Sequence, residues 1–330
     1  MRTSHNITRV FVALAAFLAL ATASFAATFT PPANPGVSDQ KAGSVLVFPY
    51  YTSASDGNFA KSDTLLQITN VCDGPSVTNG VPNYSFLHLF FLNGSNCSPA
   101  DTFVCLTPNG SIQIKASDYD PTVTGYLIAV AVDNTGAITT NNCFIGSAYV
   151  RDDNNNIIGS YGAEAFWRLV TGGGMSTVNL DGKDYDAAPT QFSVQVQDPA
   201  VADEFVVLAS VSGELGTGLR SAAQSGVGVL YRADEFPASF QPQIGSGCFS
   251  TTLLDKSKIR VVPGSFDAFL KNSYGYLKFN VGSPAVGLLL SKQGAAGQAV
   301  NRWSGIRTLH KTNVGAASLV LPMFSPFCGF

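Results

Sequence analysis

The sequence predicts an all-β fold made of two tandem antiparallel β-sandwiches. Three observations lead to this prediction. Most apolar segments are short, and either alternate with polar residues or are apolar throughout. The composition is rich in turn formers, with 32 Gly and 17 Pro, and only 12% of the residues are charged. Similar segments also recur in the same order in the two halves of the chain. Low charge with many turn residues is typical of an extracellular β protein rather than a helical cytosolic enzyme.

The N-terminus has the form of a secretory signal peptide. Arg2 and Arg9 precede the apolar run VFVALAAFLALA, and Ser24-Phe25-Ala26 provides a small-x-small cleavage site. The apolar run is too short to span a membrane. We therefore expect a secreted protein, in the extracellular space, at the cell surface or in the periplasm, with no transmembrane segment after signal removal. The predicted organisation is a signal peptide at 1–26, an N-terminal linker at 27–37, a first sandwich at 38–172, a linker at 173–187 and a second sandwich at 188–330.

Seven strands are predicted in the first half, each bounded by Gly, Pro, Asn or Asp turn residues. They cover 44–51, 64–71, 84–92, 102–107, 111–117, 125–133 and 143–151. The segment GAEAFWRLV (162–170) is predicted to be a short helix. Its counterpart in the second half is GQAVNRWSGI (297–306), so that a short helix follows each sandwich.

An internal duplication is predicted from matched segments in a shared order. CLTPNGSIQIKASDYDPTVTGYLIAV (105–130) aligns with IRVVPGSFDAFLKNSYGYLKFNV (259–281), and DTLLQITNV (63–71) aligns with DEFVVLASV (203–211). YSFLHLFFLNG aligns in turn with GVGVLYRADE (226–235). The repeat predicts equivalent core positions in the two halves. These are Leu66, Ile68, Leu87, Leu89, Ile112, Leu127, Ala129 and Ile145 in the first half, and Val207, Val229, Leu277 and Leu288 in the second.

Six cysteines follow the signal peptide, and an even number in a secreted chain predicts three disulfides. Six cysteines allow fifteen connectivities. The pairing predicted here has one local bridge and one bridge within each half of the chain. It joins Cys97 with Cys105, Cys72 with Cys143, and Cys248 with Cys328.

Charge and composition restrict the classes of partner. Removal of Arg2 and Arg9 with the signal peptide leaves 17 basic and 22 acidic residues, a net charge near −5. This charge argues against nucleic acid as a partner. Extracellular glycans or other protein subunits are the partner classes that remain.

No catalytic, cofactor-binding or metal-binding residues are predicted. The mature chain has two histidines, His88 and His310, and no Gly-x-Ser-x-Gly, Cys-x-x-Cys or His-x-x-x-His motif. We interpret His88 as a residue of a central strand and His310 as a solvated strand residue. A structural calcium ion is the one cofactor that the sequence leaves open, at NLDGKDYD (179–186) or RDDNNN (151–156). Solvated turns are the simpler interpretation of both, because neither has the spacing of an EF-hand loop.

Aromatic residues provide an alternative to a purely structural protein. Rings that are exposed and coplanar on one face could stack on sugar rings. The candidate ligand-stacking residues are Tyr50, Tyr51, Tyr84, Trp167 and Trp303.

The segments FLNGSNC, FVCLTPNGSIQIKASD and GYLIAVAVD, between residues 91 and 133, carry a resemblance to a known class. They resemble bacterial extracellular immunoglobulin-like sandwich modules, and the whole chain resembles uncharacterised secreted bacterial proteins with such modules. The resemblance is best over residues 43–170. It implies an immunoglobulin-like sandwich and a secreted protein, and it carries over no activity and no catalytic residues. With the internal duplication, the predicted fold is two tandem immunoglobulin-like sandwiches.

The leading hypothesis is a secreted, non-enzymatic structural, adhesive or matrix protein at or beyond the cell surface. The alternative is a carbohydrate-binding module or a polysaccharide-active enzyme, in which the aromatic rings contact the glycan. A third reading, an outer-membrane β-barrel, is opposed by the six cysteines and by Pro322 and Pro326 in the final segment.

Overall fold

Strands dominate the structure, a computed structural model. It describes residues 36–53, 62–73, 77–78, 81–153, 157–171, 175–199, 201–219, 225–241, 247–254, 258–259, 266–292 and 305–327. The predicted signal peptide lies outside these residues. Pro35–Phe330 form one compact unit. No helix among the described ranges is long and apolar enough to cross a membrane.

The described strands follow one another along the chain with few other elements between them. They are β1 (Val45–Thr52), β2 (Ser62–Asn70), β3 (Val77–Thr78), β4 (Val81–Pro82), β5 (Ser85–Asn93), β6 (Pro99–Leu106), β7 (Ser111–Lys115), β8 (Thr124–Val132), β9 (Phe144–Asp152), β10 (Ile157–Gly162), β11 (Glu164–Phe166), β12 (Thr177–Leu180), β13 (Ala188–Val196), β14 (Asp203–Ser210), β15 (Gly213–Glu214), β16 (Ser225–Arg232), β17 (Pro237–Gln241), β18 (Phe249–Leu253), β19 (Lys258–Ile259), β20 (Gly275–Val281), β21 (Ala285–Lys292), β22 (Gly305–Thr308), β23 (His310–Gly315) and β24 (Ala317–Val320). A 3₁₀ turn covers Ala116–Asp118, and one short helix, α1, covers Phe266–Leu270.

Within the described ranges, the strands form five sheets of three to six strands and a small ribbon, β3–β4. Sheet I has the order β11–β1–β8–β5–β6, and sheet II the order β10–β9–β2–β7. Sheet III is β12–β24–β15, sheet IV is β18–β14–β21–β22, and sheet V is β19–β17–β16–β20–β13–β23. The five sheets are arranged as the blades of a five-bladed β-propeller. The all-β class is thus correct, but the prediction of two tandem immunoglobulin-like sandwiches is wrong.

Burial on both faces of sheet I explains why that prediction fails. Every residue of β1 is buried, and so is every residue of β8 after Thr124. In an isolated two-sheet sandwich, alternate residues of these strands would face water. Instead, one face of sheet I packs against sheets II and IV, and the other packs against sheet III. A third core cluster joins sheets IV and V.

The strand order nevertheless recurs between the halves. β11–β1–β8–β5–β6 in sheet I corresponds to β23–β13–β20–β16–β17 in sheet V. β10–β9–β2–β7 in sheet II corresponds to β22–β21–β14–β18 in sheet IV. The aligned sequence segments occupy equivalent places, since β2 matches β14, β5 matches β16, and the two Gly-Tyr-Leu starts open β8 and β20. Sheet III, built from strands of the second half, has no counterpart in this scheme.

Most predicted core residues are buried. Fully buried residues are Leu66, Ile68, Leu87, Leu89, Leu127, Ala129, Val207, Leu277 and Leu288. Ile112 and Val229 are half-buried, and Ile145 is 41% exposed. The prediction for Ile145 is wrong because β9 alternates, and this position faces outward from sheet II.

The predicted helix at 162–170 is also wrong. Glu164–Phe166 form strand β11, which is buried at every position and pairs with β1 at the edge of sheet I. Pairing and burial outweigh the helical propensity of so short a segment. The second predicted helix, 297–306, lies mostly outside the described residues, and its end enters β22.

Both cysteines are identified for two disulfides in the described part of the chain. Cys72 bonds to Cys143, which confirms that prediction. Cys97 bonds to Cys248, so the predicted Cys97–Cys105 and Cys248–Cys328 pairs are wrong. Cys105 is disulfide-bonded as well, and Cys328 lies outside the described residues. The local staple fails because Cys97 lies at the end of sheet I where Cys248 approaches from the start of β18.

Candidate functional site: a tyrosine-lined cleft

The aromatic residues singled out by the sequence do not form a binding face. Tyr50 and Tyr51 are buried in the core between sheets I and II. The Tyr50 hydroxyl donates to Asp152 Oδ2 at 3.1 Å, and the Tyr51 hydroxyl donates to Asp120. Burial raises the pKa of both phenols far above the usual range. Neither ring is available to an external ligand.

The remaining candidates are scattered. Tyr84 is half-buried before β5, and Trp167 is half-buried after β11. The main-chain N–H of Trp167 donates to Asp186 Oδ2. Trp303 lies outside the described residues. The predicted set of five stacking aromatics is therefore not a site as a group.

The predicted calcium loops use their carboxylates locally. Asp181 Oδ1 accepts main-chain N–H bonds from Lys183 and Asp184 at 2.9 Å, and Asp186 is buried in an ion pair with Lys41. Asp153 pairs with Arg151. Among the described residues, no group of three or more His, Cys, Asp or Glu side chains is placed to hold a metal ion.

A different set of aromatic residues meets on the outer face of sheet V. β20 alternates strictly, with Leu277 and Phe279 in the core and Tyr276 outward. Tyr231 of β16 is directly paired with Tyr276, so the two rings leave the sheet side by side on the same face. Their exposed fractions are 41% and 44%.

Tyr274 extends this aromatic row, and Gly275 allows the two strands to lie close together. Tyr274, 57% exposed, lies just before β20, and its carbonyl accepts the N–H of Ala233 at 3.0 Å. Between the two tyrosines lies Gly275. A Cβ at this position would be 2.7 Å from the Tyr231 carbonyl oxygen, so only glycine lets the strands approach this closely.

The three tyrosines line a cleft of about 810 Å³. Polar groups surround the aromatic floor. The remaining lining residues are Gln195, Arg232, Ala233, Glu235, Gly275 and His310. Gln195 pairs with Tyr276 across β13 and β20, and His310 comes from the edge strand β23. A broad apolar surface with a few polar groups is the usual composition of a small-molecule site. We call this the tyrosine cleft.

The electrostatics of the tyrosine cleft are close to neutral. The Arg232 guanidinium donates to both carboxylate oxygens of Asp234, with Nε 2.9 Å from Oδ1. Hydrogen bonding from Arg232 lowers the pKa of Asp234 to about 2. Arg232 thus has its charge matched within the turn, while Glu235, held at a φ of 64°, adds a carboxylate to the lining.

The two histidines have different environments. His310 is exposed in the cleft, as predicted for a solvated strand residue. His88 is fully buried in sheet I between Phe90 and Phe103, with both ring centroids 4.0 Å away. Its Nε2 is 2.8 Å from Asp101 Oδ2, and burial lowers its pKa. This is the central-strand role that the sequence indicates.

Sequence reasoning missed the tyrosine cleft although one signal was present. The segment SYGYLKFN places Tyr276, Lys278 and Asn280 at alternate positions against Leu277 and Phe279. That pattern marks Tyr276 as outward-facing. Its alignment with Tyr231 depends on register between β16 and β20, which the sequence alone does not specify.

Comparison with known proteins adds no relationship. No protein-family model matches the chain, and no curated protein matches its sequence.

Proposed function

We propose that this chain is a secreted, non-enzymatic glycan-binding protein that acts at or beyond the cell surface. Its binding site is the tyrosine cleft. The observation that carries the proposal is the row of half-exposed rings formed by Tyr231, Tyr276 and Tyr274. The row lies where Gly275 lets β16 and β20 approach closely. An adhesive or matrix role follows if the bound glycan belongs to a surface or to another cell.

Tyrosine rings suit this ligand for two physical reasons. The C–H bonds on one face of a sugar ring pack against the electron-rich face of an aromatic ring, while the phenol oxygen stays available for hydrogen bonding. Tyrosine also has few rotatable bonds, so it loses little conformational entropy on binding. Gln195, Glu235 and His310, which also line the cleft, supply polar groups for the hydroxyl groups of a bound sugar.

The charge of the tyrosine cleft favours uncharged sugars. Arg232 is already paired with Asp234, and Glu235 would repel a carboxylate or sulfate on the ligand. We therefore expect neutral hexose or N-acetylhexosamine chains to bind more tightly than uronates or sulfated sugars.

The secreted location is supported by the signal-like N-terminus and by the disulfides, which persist in oxidising compartments. The non-enzymatic character is supported by the lining of the tyrosine cleft, where Glu235 is the one carboxylate among the lining residues. Glycoside hydrolysis normally needs two carboxyl groups facing each other across the bound sugar.

The test is binding of the purified mature protein to a glycan array, followed by calorimetry with the best neutral oligosaccharide. Replacement of a central binding aromatic typically costs more than 1 kcal/mol, so Tyr276→Ala and Tyr231→Ala should each weaken binding about tenfold. Tyr149→Ala is the matched control, because Tyr149 is an outward tyrosine of sheet II with 43% exposure.

Three results would contradict the proposal. These are an array with no binding above background, equal loss of binding in the Tyr149 control, and release of reducing sugar at an enzyme-like rate. The last result would make the chain a polysaccharide-active enzyme instead.

A further inference from the structure

A buried cluster of charges lies behind the edge strand of sheet V. Glu164, in β11, is fully buried and pairs with Lys311 of β23. Next to it, Lys41 pairs with Asp186, which is also fully buried. Lys41 belongs to residues 36–43, a segment that runs alongside Ala165 and that we call the strap.

The groups that face Glu164 come from several elements. Lys311 faces it from β23, and Asp39 and Lys41 face it from the strap. On β1, its strand partner is the apolar Val47. Glu164 Oε1 and Asp186 Oδ1 are buried and have no hydrogen-bond partner among the residues that the structure describes. Burial is the largest influence on Glu164 and raises its pKa to about 7, although Lys311 acts in the opposite direction.

Strand β23 connects this cluster to the tyrosine cleft. His310 lines the cleft, and Lys311, the next residue, reaches Glu164. Neighbouring side chains of a strand point to opposite faces, so β23 can present His310 to the tyrosine cleft and Lys311 to Glu164. β23 lies at the edge of sheet V, and its pairing with β13 has two register shifts. The Lys311 contact is therefore an anchor for an edge strand whose pairing with β13 is irregular.

We propose that Glu164 acts as a proton-controlled anchor for β23 and thereby makes binding in the tyrosine cleft depend on pH. With Glu164 ionised, Lys311 is held and His310 forms a fixed wall of the cleft. With Glu164 protonated, the ion pair is lost, β23 becomes more mobile, and the ligand binds less tightly. The binding part of this inference rests on the proposed glycan-binding function, whereas the anchoring of β23 does not.

Protonation of Glu164 weakens the anchoring of β23, but it does not lower the free energy of unfolding. The folded pKa of Glu164 lies above its unfolded value, so protonation is favoured in the folded state. Its contribution to stability is greatest in acid and falls as the pH rises from about 4.5 to about 7. Acid therefore changes the anchor without unfolding the protein through this group.

The first experiment needs no ligand. Hydrogen exchange of β23 amides, corrected for intrinsic rates, is measured at pH 6 and pH 8 on the full mature chain, with β20 as an internal reference. The wild type should lose about fivefold or more of its β23 protection at pH 6, because roughly nine-tenths of Glu164 is then protonated. Glu164→Gln should show the low protection at both values. Lys311→Met should behave in the same way, since it removes the anchor from the other side.

The second experiment measures glycan affinity between pH 5.5 and pH 8.5. The wild type should bind several-fold more tightly at high pH, with a midpoint near 7, and Glu164→Gln should bind weakly throughout. His310→Asn removes the imidazole from the cleft and leaves Glu164 and Lys311 in place, so this variant should keep the pH response.

Glu204→Gln is the matched control. Glu204 is also buried and ion-paired, and its pKa is also raised by burial, but it lies in sheet IV. The inference is overturned if β23 protection is independent of pH, or if His310→Asn or Glu204→Gln removes the response while Glu164→Gln keeps it. If no glycan binds but β23 exchange follows the prediction, the proposed function fails and the anchor stands.

Discussion

Gly275 offers the sharpest test of how the tyrosine cleft is built. Replacement by alanine adds a methyl group 2.7 Å from the Tyr231 carbonyl oxygen and 2.9 Å from Leu270 Cδ2. Real Cβ contacts are longer than this, so β16 and β20 must separate by several tenths of an ångström at the tyrosine pair. Overpacking of this kind costs about 1–3 kcal/mol.

The stability measurement is urea unfolding under non-reducing conditions, followed by circular dichroism. A loss of about 2 kcal/mol with a slope of about 3 kcal/mol/M lowers the unfolding midpoint by roughly 0.7 M. Because the strain falls between Tyr231 and Tyr276, Gly275→Ala should also weaken the proposed glycan binding, measured without urea, where the variant is folded.

Gly305→Ala is the control for the loss of glycine itself. A Cβ at Gly305 meets no atom within 4 Å, so this variant should match the wild type or gain up to about 1 kcal/mol from reduced freedom of the unfolded chain. The reasoning would be refuted if Gly275→Ala and Gly305→Ala had the same unfolding midpoint.

Three further predictions concern other parts of the molecule. Non-reducing peptide mapping should show the Cys72–Cys143 and Cys97–Cys248 bridges, and it should link Cys105 to Cys328 because that is the one cysteine left. Removal of the Cys97–Cys248 bridge should lower the free energy of unfolding by about 5 kcal/mol on the chain-entropy model, and a loss near zero would contradict its role. The pKa of His88 is lowered by burial, so stability should fall as the pH drops below about 6.5, and His88→Phe should remove that part of the decline in melting temperature. Arg307→Met leaves buried Glu204 without its cation and should cost about 3 kcal/mol in urea unfolding, whereas the double variant with Glu204→Gln should recover part of this loss. A loss in the double variant equal to the sum of the losses in the two single variants would show that the pair is not coupled.

Local pattern predicted the strands well but not the surroundings of each sheet. Alternation and turn residues located β2, β5, β8 and β9 to within a few residues, and the repeated Gly-Tyr-Leu starts identified β8 and β20 as equivalent strands. The continuous apolar run of β1 indicates burial on both faces. It does not say which sheets provide that burial, and that choice separates a propeller-like arrangement from two sandwiches.

The site shows the same limit. Tyr50 and Tyr51 look attractive in the sequence because they are adjacent aromatic residues, yet they belong to a strand with no exposed face. Tyr231 and Tyr276 are 45 residues apart, and their contact depends on the register of β16 with β20. The Cys97–Cys248 bridge has a sequence separation of 151 and joins the β5–β6 connection of sheet I to the residue before β18 of sheet IV, so spacing alone could not identify it.

That bridge also determines how the protein would respond to mechanical load. Tension applied at the two termini would not extend the segment between Cys97 and Cys248, because the disulfide joins its two ends at a sequence separation of 151. At about 3.5 Å per extended residue, roughly 500 Å of chain is withheld from extension as long as the bond is intact. Tyr231 and the rest of β16 lie inside this shielded segment. Under the proposed glycan-binding function, shear would therefore leave the Tyr231 strand of the tyrosine cleft unextended while the bridge is intact.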